Sequence, residues 1–202
     1  MLDFVTKMFN KKRKPTGFMK HYLTLWSIVD GMEAMETFEF GTGLSTWAIL
    51  SALNTEAHHT SCDLRPLEGT GVPEHVINAY QDMWTFAQKD SREAIRETNG
   101  PFDFVLHDGS HLPDVVEEDL KLVIPKMKNN SILVIHDTEC DLFGKTLQEA
   151  VVRALGDLRH EIITLPYGYG LTIVRILDNK QNGTVKPTWT KPGWIKEGAP
   201  NA

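Results

Sequence analysis

The feature that most constrains this chain is a repeated alternation of short β-prone runs with helical stretches, in which the β-prone runs keep ending on glycine or an acid. Glu36 to Phe40 runs into Gly41-Thr42-Gly43, and His58 to Leu64 contains Asp63. Met83 to Gln88 leads to Lys89-Asp90-Ser91, Phe102 to His107 to Asp108-Gly109-Ser110-His111, and Ser131 to His136 to Asp137-Thr138-Glu139. Helical periodicity fills the intervals: Ser45 to about Leu53, with Ser45 as its N-cap, then Glu74 to Tyr80, Ser91 to Glu97, Asp114 to Ile124 and Thr146 to Leu155. Strands alternating with helices predict a doubly wound, mostly parallel α/β sheet. The last two strands, His160 to Leu165 and Leu171 to Leu177, are separated only by Tyr167-Gly168-Tyr169-Gly170. A parallel pair needs a long crossover, so these two pair as a C-terminal antiparallel hairpin and complete a seven-stranded sheet.

Ahead of this pattern, apolar residues from Gly17 to Met35 recur at helical spacing, and Lys11-Lys12-Arg13-Lys14 makes a basic leader. The chain divides into a leader with N-terminal helix (1–35), the alternating domain (36–177) and a Lys-, Pro- and Gly-rich tail (178–202) carrying Trp189 and Trp194. The 202 residues carry 21 Lys plus Arg against 27 Asp plus Glu, a net charge of −6. That balance disfavours a general nucleic-acid binder, which neutralises phosphates with a basic face. No apolar run approaches the roughly 18 residues that span a bilayer, and the basic residues are placed wrongly for a secretory signal. Cys62 and Cys140 are the only cysteines, so there is no disulfide framework and a reducing cytoplasm is the expected compartment.

In an open α/β sheet, ligands bind outside the carboxyl ends of the strands. The turn Gly41-Thr42-Gly43 lets backbone approach a ligand at a helix N-terminus. Thr46 breaks the third glycine of the dinucleotide fingerprint, and Glu39, just before the turn, suits a ligand bearing an ammonium group. Asp63, twenty residues beyond Gly43, is placed to accept two ribose hydroxyls. Asp90 is placed to reach an adenine amino group, and Ser91 caps the following helix. Asp108 and Asp137 form a carboxylate pair suited to Mg2+. His111 beside them is a base able to take a proton from a hydroxyl near neutral pH. His107 and His136 are read as histidines bordering the core.

This order of segments resembles the class I S-adenosylmethionine-dependent methyltransferases. The Asp108-Gly109-Ser110-His111 and Ile135-His136-Asp137 segments are most similar to the small-molecule O-methyltransferase branch, which includes the macrocin and sugar O-methyltransferases and the cephalosporin-hydroxylase-like proteins. The resemblance implies S-adenosylmethionine as cofactor, with Gly41, Gly43 and Ser45 bounding its methionine moiety and Glu39 near its ammonium. It places Asp63 on the ribose and Asp90 with Ser91 at the adenine. Asp108 borders the reacting centre and, with Asp137, holds Mg2+ in the metal-dependent members; His111 is the base. Ser110 stands where members commonly carry Asp, and His136 precedes Asp137. The implied reaction is methyl transfer to a hydroxyl of a small-molecule acceptor, whose pocket the leader, Arg65, the 66–73 loop, Tyr167 and Tyr169 are placed to border, in an enzyme that can form a homodimer. The alternatives are a catalytically inactive methyltransferase-like binding module, an NAD-dependent oxidoreductase, and a methyltransferase acting on nitrogen or nucleic acid. The missing third glycine opposes the oxidoreductase. The absence of an Asn/Asp-Pro-Pro-aromatic motif after the fourth strand opposes the last.

Overall fold

The computed structural model describes residues 17–179. The basic leader and the Trp-bearing tail lie outside the described residues. Seven strands form one sheet: β1 (Glu36–Phe40), β2 (His58–Asp63), β3 (Trp84–Gln88), β4 (Phe102–His107), β5 (Met127–His136), β6 (Arg159–Leu165) and β7 (Leu171–Asp178). Their spatial order is β3-β2-β1-β4-β5-β7-β6. β1 pairs in parallel with both β2 and β4, and β5 with β4. β7 runs antiparallel to β5 and β6, as the hairpin argument requires.

Among the described residues, six α-helices cover the sheet: α1 (Tyr22–Gly31), α2 (Leu44–Ala52), α3 (Glu74–Tyr80), α4 (Ser91–Glu97), α5 (Pro113–Val123) and α6 (Gly144–Leu155). Successive strand residues face opposite sides of a sheet, and the two cores obey that rule. Phe38, Phe40, Val105, Leu133 and Ile135 pack with Ile95, Leu120, Leu147 and Val151 of α4, α5 and α6. Phe104, Leu106, Val134 and Leu171 pack on the other face with Leu25 and Val29 of α1 and Ile49 of α2. The first helix, which the sequence pattern places ahead of the domain, is thus seated on it. Among the described residues, no helix is long and apolar enough to cross a membrane.

Two helix starts differ from expectation. Gly43, not Ser45, occupies the N-cap of α2; its backbone N–H donates to Thr46 Oγ1 at 3.1 Å. Asp90, not Ser91, caps α4, accepting from the Arg92 backbone N–H at 3.0 Å. In both places the serine hydroxyl donates instead to a buried carboxylate, Glu39 for Ser45 and Asp119 for Ser91. β5 also begins four residues earlier than expected, at Met127 rather than Ser131.

Candidate active site

The β1 and β4 loops cross at the point where the strand order reverses, and the crossing is tight. The Asp108 N–H donates to Phe40 O at 2.9 Å, and the Gly41 N–H to Cys62 O at 2.9 Å. Gly41 has φ +85°, and a Cβ there would lie 2.4 Å from Asp108 O. Only glycine fits both the left-handed conformation and the contact.

Two adjoining recesses open beside this crossing. The larger, about 480 Å³, is lined by Phe40, Gly41, Asp63, Lys89, Asp90, Ser91 and Asp108 among others. The smaller, about 240 Å³, is lined by Tyr22, Gly41, Thr42, Gly43, Ser45 and Asp108 among others. Gly41, Arg65 and Asp108 line both, so the two are lobes of one cleft. The sequence-derived residues Gly41, Gly43, Ser45, Asp63, Asp90, Ser91 and Asp108 are all brought to it.

Glu39 is not. Its strand position sends Phe38 and Phe40 to one core and the Glu39 side chain to the face covered by α2. There it is fully buried and accepts from Ser45 Oγ and Thr46 Oγ1, with His59 Nε2 at 3.4 Å. The carboxylate fastens the start of α2 from beneath and does not line either lobe.

Asp63 accepts from the Thr42 N–H at 3.1 Å and from Arg65 through Nε at 3.0 Å and Nη2 at 2.7 Å. Burial raises its pKa, but the Arg65 bonds outweigh that and hold the carboxyl below the usual range. Arg65 is more than half exposed, so this pair adds little stability and is free to open. Asp90 accepts from Arg92 Nε and Nη2, both at 2.9 Å.

Beyond the cleft, the ends of β4 and β5 bring four titratable side chains together. His111 Nε2 lies 2.6 Å from Asp137 Oδ2. His136 Nδ1 lies 3.1 Å from Asp108 Oδ1 and 3.2 Å from Asp137 Oδ1, and its Nε2 is 3.1 Å from Gly168 O. Every atom facing His136 in these contacts is an oxygen acceptor, an arrangement that an imidazolium with both ring nitrogens donating satisfies. Burial lowers its pKa, but the bonds to Asp108 and Asp137 prevail and carry it to about 9. Those bonds, with His111, hold Asp137 far below the carboxylate range against its burial. The Asp137 hydrogen bond raises the pKa of His111. Asp137 adopts φ +61°, which aims its carboxylate back at both rings.

The expected metal ligands Asp108 and Asp137 are adjacent, and with His111 they offer three ligand atoms within 4.8 Å of one another. Two carboxylates are the donor type that suits a hard divalent ion.

Sequence reasoning missed several members of this neighbourhood. Phe143 stacks on His111 with ring centroids 4.6 Å apart. His21, fully buried, contacts Gly168 O at 3.3 Å, stacks on Tyr167 at 5.2 Å and meets His136 edge-on at 5.5 Å. Burial, with the nearby His136 charge, lowers its pKa. Nothing in the local sequence marks His21 or Phe143. His136 was visible in the sequence, but its place between two carboxylates was not.

Comparison with solved structures gives the same architecture. S-adenosylhomocysteine-bound methyltransferase PaMTH1 from Podospora anserina aligns at TM-score 0.67, with 14% identity over 87% of this chain and 88% of that one. O-methyltransferase TomG of Streptomyces achromogenes, involved in tomaymycin synthesis and solved with S-adenosylmethionine, aligns at 0.62, with 14% identity over 79% and 81%. An O-methyltransferase from Bacillus cereus, in complex with S-adenosylhomocysteine, aligns at 0.64, with 11% identity over 87% of each chain. At such identities the likeness is one of fold. A search of curated proteins found no match. A family model described as a methyltransferase domain matches residues 38–138, half of the chain, running from within β1 to just past β5 and including the Gly41-Thr42-Gly43 turn and the Asp-His cluster. The chain therefore belongs to the methyltransferase domain family.

Proposed function

We propose that the protein transfers the methyl group of S-adenosylmethionine to a hydroxyl oxygen of a small-molecule acceptor. The observation that carries this reading is the His111–Asp137 pair at 2.6 Å, set beside Asp108 where the two lobes of the cleft meet. The cofactors bound in PaMTH1, TomG and the Bacillus cereus enzyme support the choice of cofactor.

The residues fit that cofactor. Asp63 is an acceptor-only group at the end of β2, where a ribose diol is read. The larger lobe continues from it toward β3 and Ser91, in the direction of a base. The smaller lobe runs past Gly41 and Gly43, whose backbone permits close approach. Glu39 holds the start of α2 rather than meeting the ligand. When bound, the cofactor supplies an electrophilic methyl on a sulfonium sulfur that departs as a neutral thioether.

The protein supplies position and a proton acceptor. Alignment of two reactants is worth about 7–11 kcal/mol of barrier. A hydroxyl nucleophile must also lose its proton. With Nε2–H donated to Asp137, His111 Nδ1 carries the lone pair and takes that proton. Asp137 holds the ring's tautomer and stabilises the imidazolium that forms, the role a carboxylate plays behind any histidine base. His136 fixes Asp108 and Asp137 in place and lessens the repulsion between them. If Mg2+ binds, Asp108 and Asp137 would hold it, and it would polarise the acceptor oxygen. Phe143 stacks on His111, and the residues that follow His111 and precede Phe143 in the chain, Leu112 and Leu142, are exposed, apolar surface available to an acceptor.

The test is a methyl-transfer assay with methyl-labelled S-adenosylmethionine and a panel of hydroxyl, amine and thiol small molecules, with and without Mg2+. The expected result is label found on hydroxyl acceptors. Label found only on amines would overturn the oxygen assignment.

A further inference from the structure

Behind the larger lobe lies a buried polar chain that the methyl-transfer mechanism does not use. Asp119, on the inner face of α5, is fully buried. One of its oxygens accepts from Ser91 Oγ at 2.8 Å, and the other faces His107 Nε2 at 3.1 Å. His107 is the last residue of β4 and is 2% exposed. Ser91 is the first residue of α4 and lines the lobe. We propose that Asp119 and His107 fix the hydrogen-bond polarity of Ser91, so that this lobe selects a purine carrying an amino group at C6 and rejects one carrying a carbonyl there.

The argument is one of donors and acceptors. A serine hydroxyl has one hydrogen and two lone pairs, and a carboxylate only accepts. The Ser91 hydrogen is directed to Asp119, so Ser91 Oγ presents only lone pairs to the lobe. Its neighbour Asp90 already accepts three bonds from Arg92. The Lys89 and Arg92 donors that also line this lobe are turned to Glu97, Asp90 and Glu118, so the Ser91 side chain offers a base an accepting atom. Adenine presents an N6 amino donor, while guanine and hypoxanthine present an O6 acceptor. An acceptor facing an acceptor leaves both unsatisfied, and that mismatch discriminates more strongly than the lost bond alone. The inference rests on the reading that the larger lobe takes the adenosine. Asp119 and His107 are positioning residues, since neither lines the lobe.

The experiment compares binding of S-adenosylhomocysteine and its 6-oxo analogue, in which hypoxanthine replaces adenine, by calorimetry. Three full-length proteins are used: wild type, Ser91→Ala and Asp119→Asn. Wild type is expected to prefer the 6-amino ligand by about 10- to 100-fold. Ser91→Ala removes the acceptor and should bring the two ligands close to parity. In Asp119→Asn, His107 keeps the amide oxygen while the amide N–H2 donates to Ser91, which turns its own hydrogen into the lobe. The preference should then fall below that of Ser91→Ala or invert. A purely structural role for the chain would weaken both ligands together, and an unchanged ratio in Ser91→Ala overturns the proposal. If Asp119→Asn does not fold, the Ser91→Ala ratio decides alone. A wild type that binds neither ligand would sink the cofactor reading itself, and this inference with it.

Discussion

Replacing His111 with alanine is expected to lower turnover by about 10²- to 10⁴-fold, the usual contribution of a positioned general base, while S-adenosylhomocysteine binding stays intact. The separation follows from the geometry. His111 lines neither lobe of the cleft; it is held 2.6 Å from Asp137, which shares His136 with Asp108, the member of the cluster that lines both lobes. Its base function requires the neutral ring, and the Asp137 hydrogen bond raises its pKa. Turnover should therefore rise with pH through a limb lying above the ordinary histidine value of about 6.5. Asp137→Asn removes the charge that favours the imidazolium, so it should shift that limb to lower pH and lower the plateau. Steady-state rates across pH for the three proteins check both statements. Full turnover in His111→Ala would remove the base assignment.

The second large effect is on stability. Between pH 6.5 and 9 the folded protein is expected to lose about 3 kcal/mol, at up to about 1.4 kcal/mol per pH unit. The source is His136, 5% exposed and with its pKa carried from the ordinary histidine value of about 6.5 to about 9. The folded state binds this proton more tightly than the unfolded chain does. Its contribution is thus complete below pH 6.5 and disappears as pH climbs through 9. Other shifted groups act mainly outside that window. Asp137, with its depressed pKa, contributes a stabilisation that is lost only in acid. The Cys62 thiol, which burial pushes up to about 12, matters only in stronger alkali. His21, with its lowered pKa, costs stability only as pH falls. His111 is raised by the same carboxylate and adds in the same direction as His136, though it is nearly half exposed. Urea unfolding at a series of pH values measures the slope, and His136→Asn should flatten most of it while lowering stability at pH 6.5. A wild-type profile flat from pH 6.5 to 9 would contradict the imidazolium.

The order and direction of the strands were legible because each carries its own evidence. Phe102 to His107 is a short β-prone run rich in Phe, Val and Leu, and the Tyr167–Gly170 turn is too short for a crossover. The candidate site was legible for the same reason: strand ends converge in this topology, so acids at successive ends become neighbours. What stayed hidden depends on partners far along the chain. The Lys128-Asn129-Asn130 stretch reads as a turn, and Asn130 does adopt φ +65°. β5 nevertheless includes it, because Asn129 Oδ1 accepts from the Asn179 N–H and Asn130 Oδ1 from Arg175 Nη2, residues 50 and 45 positions away. Ser45 and Ser91 read as helix caps, since local pattern cannot reveal a buried carboxylate underneath. Glu39 illustrates the limit most clearly. Its position before the glycine turn suggested a ligand contact, but the two-residue period of β1 turns its side chain into the interior.

The most direct measurement is calorimetric titration of the wild-type protein and Asp63→Ala with S-adenosylhomocysteine, alongside NAD. The account predicts one-to-one binding of S-adenosylhomocysteine to the wild type, weaker binding to Asp63→Ala as the ribose acceptor is lost, and no heat with NAD. Binding of NAD with none of S-adenosylhomocysteine would contradict it.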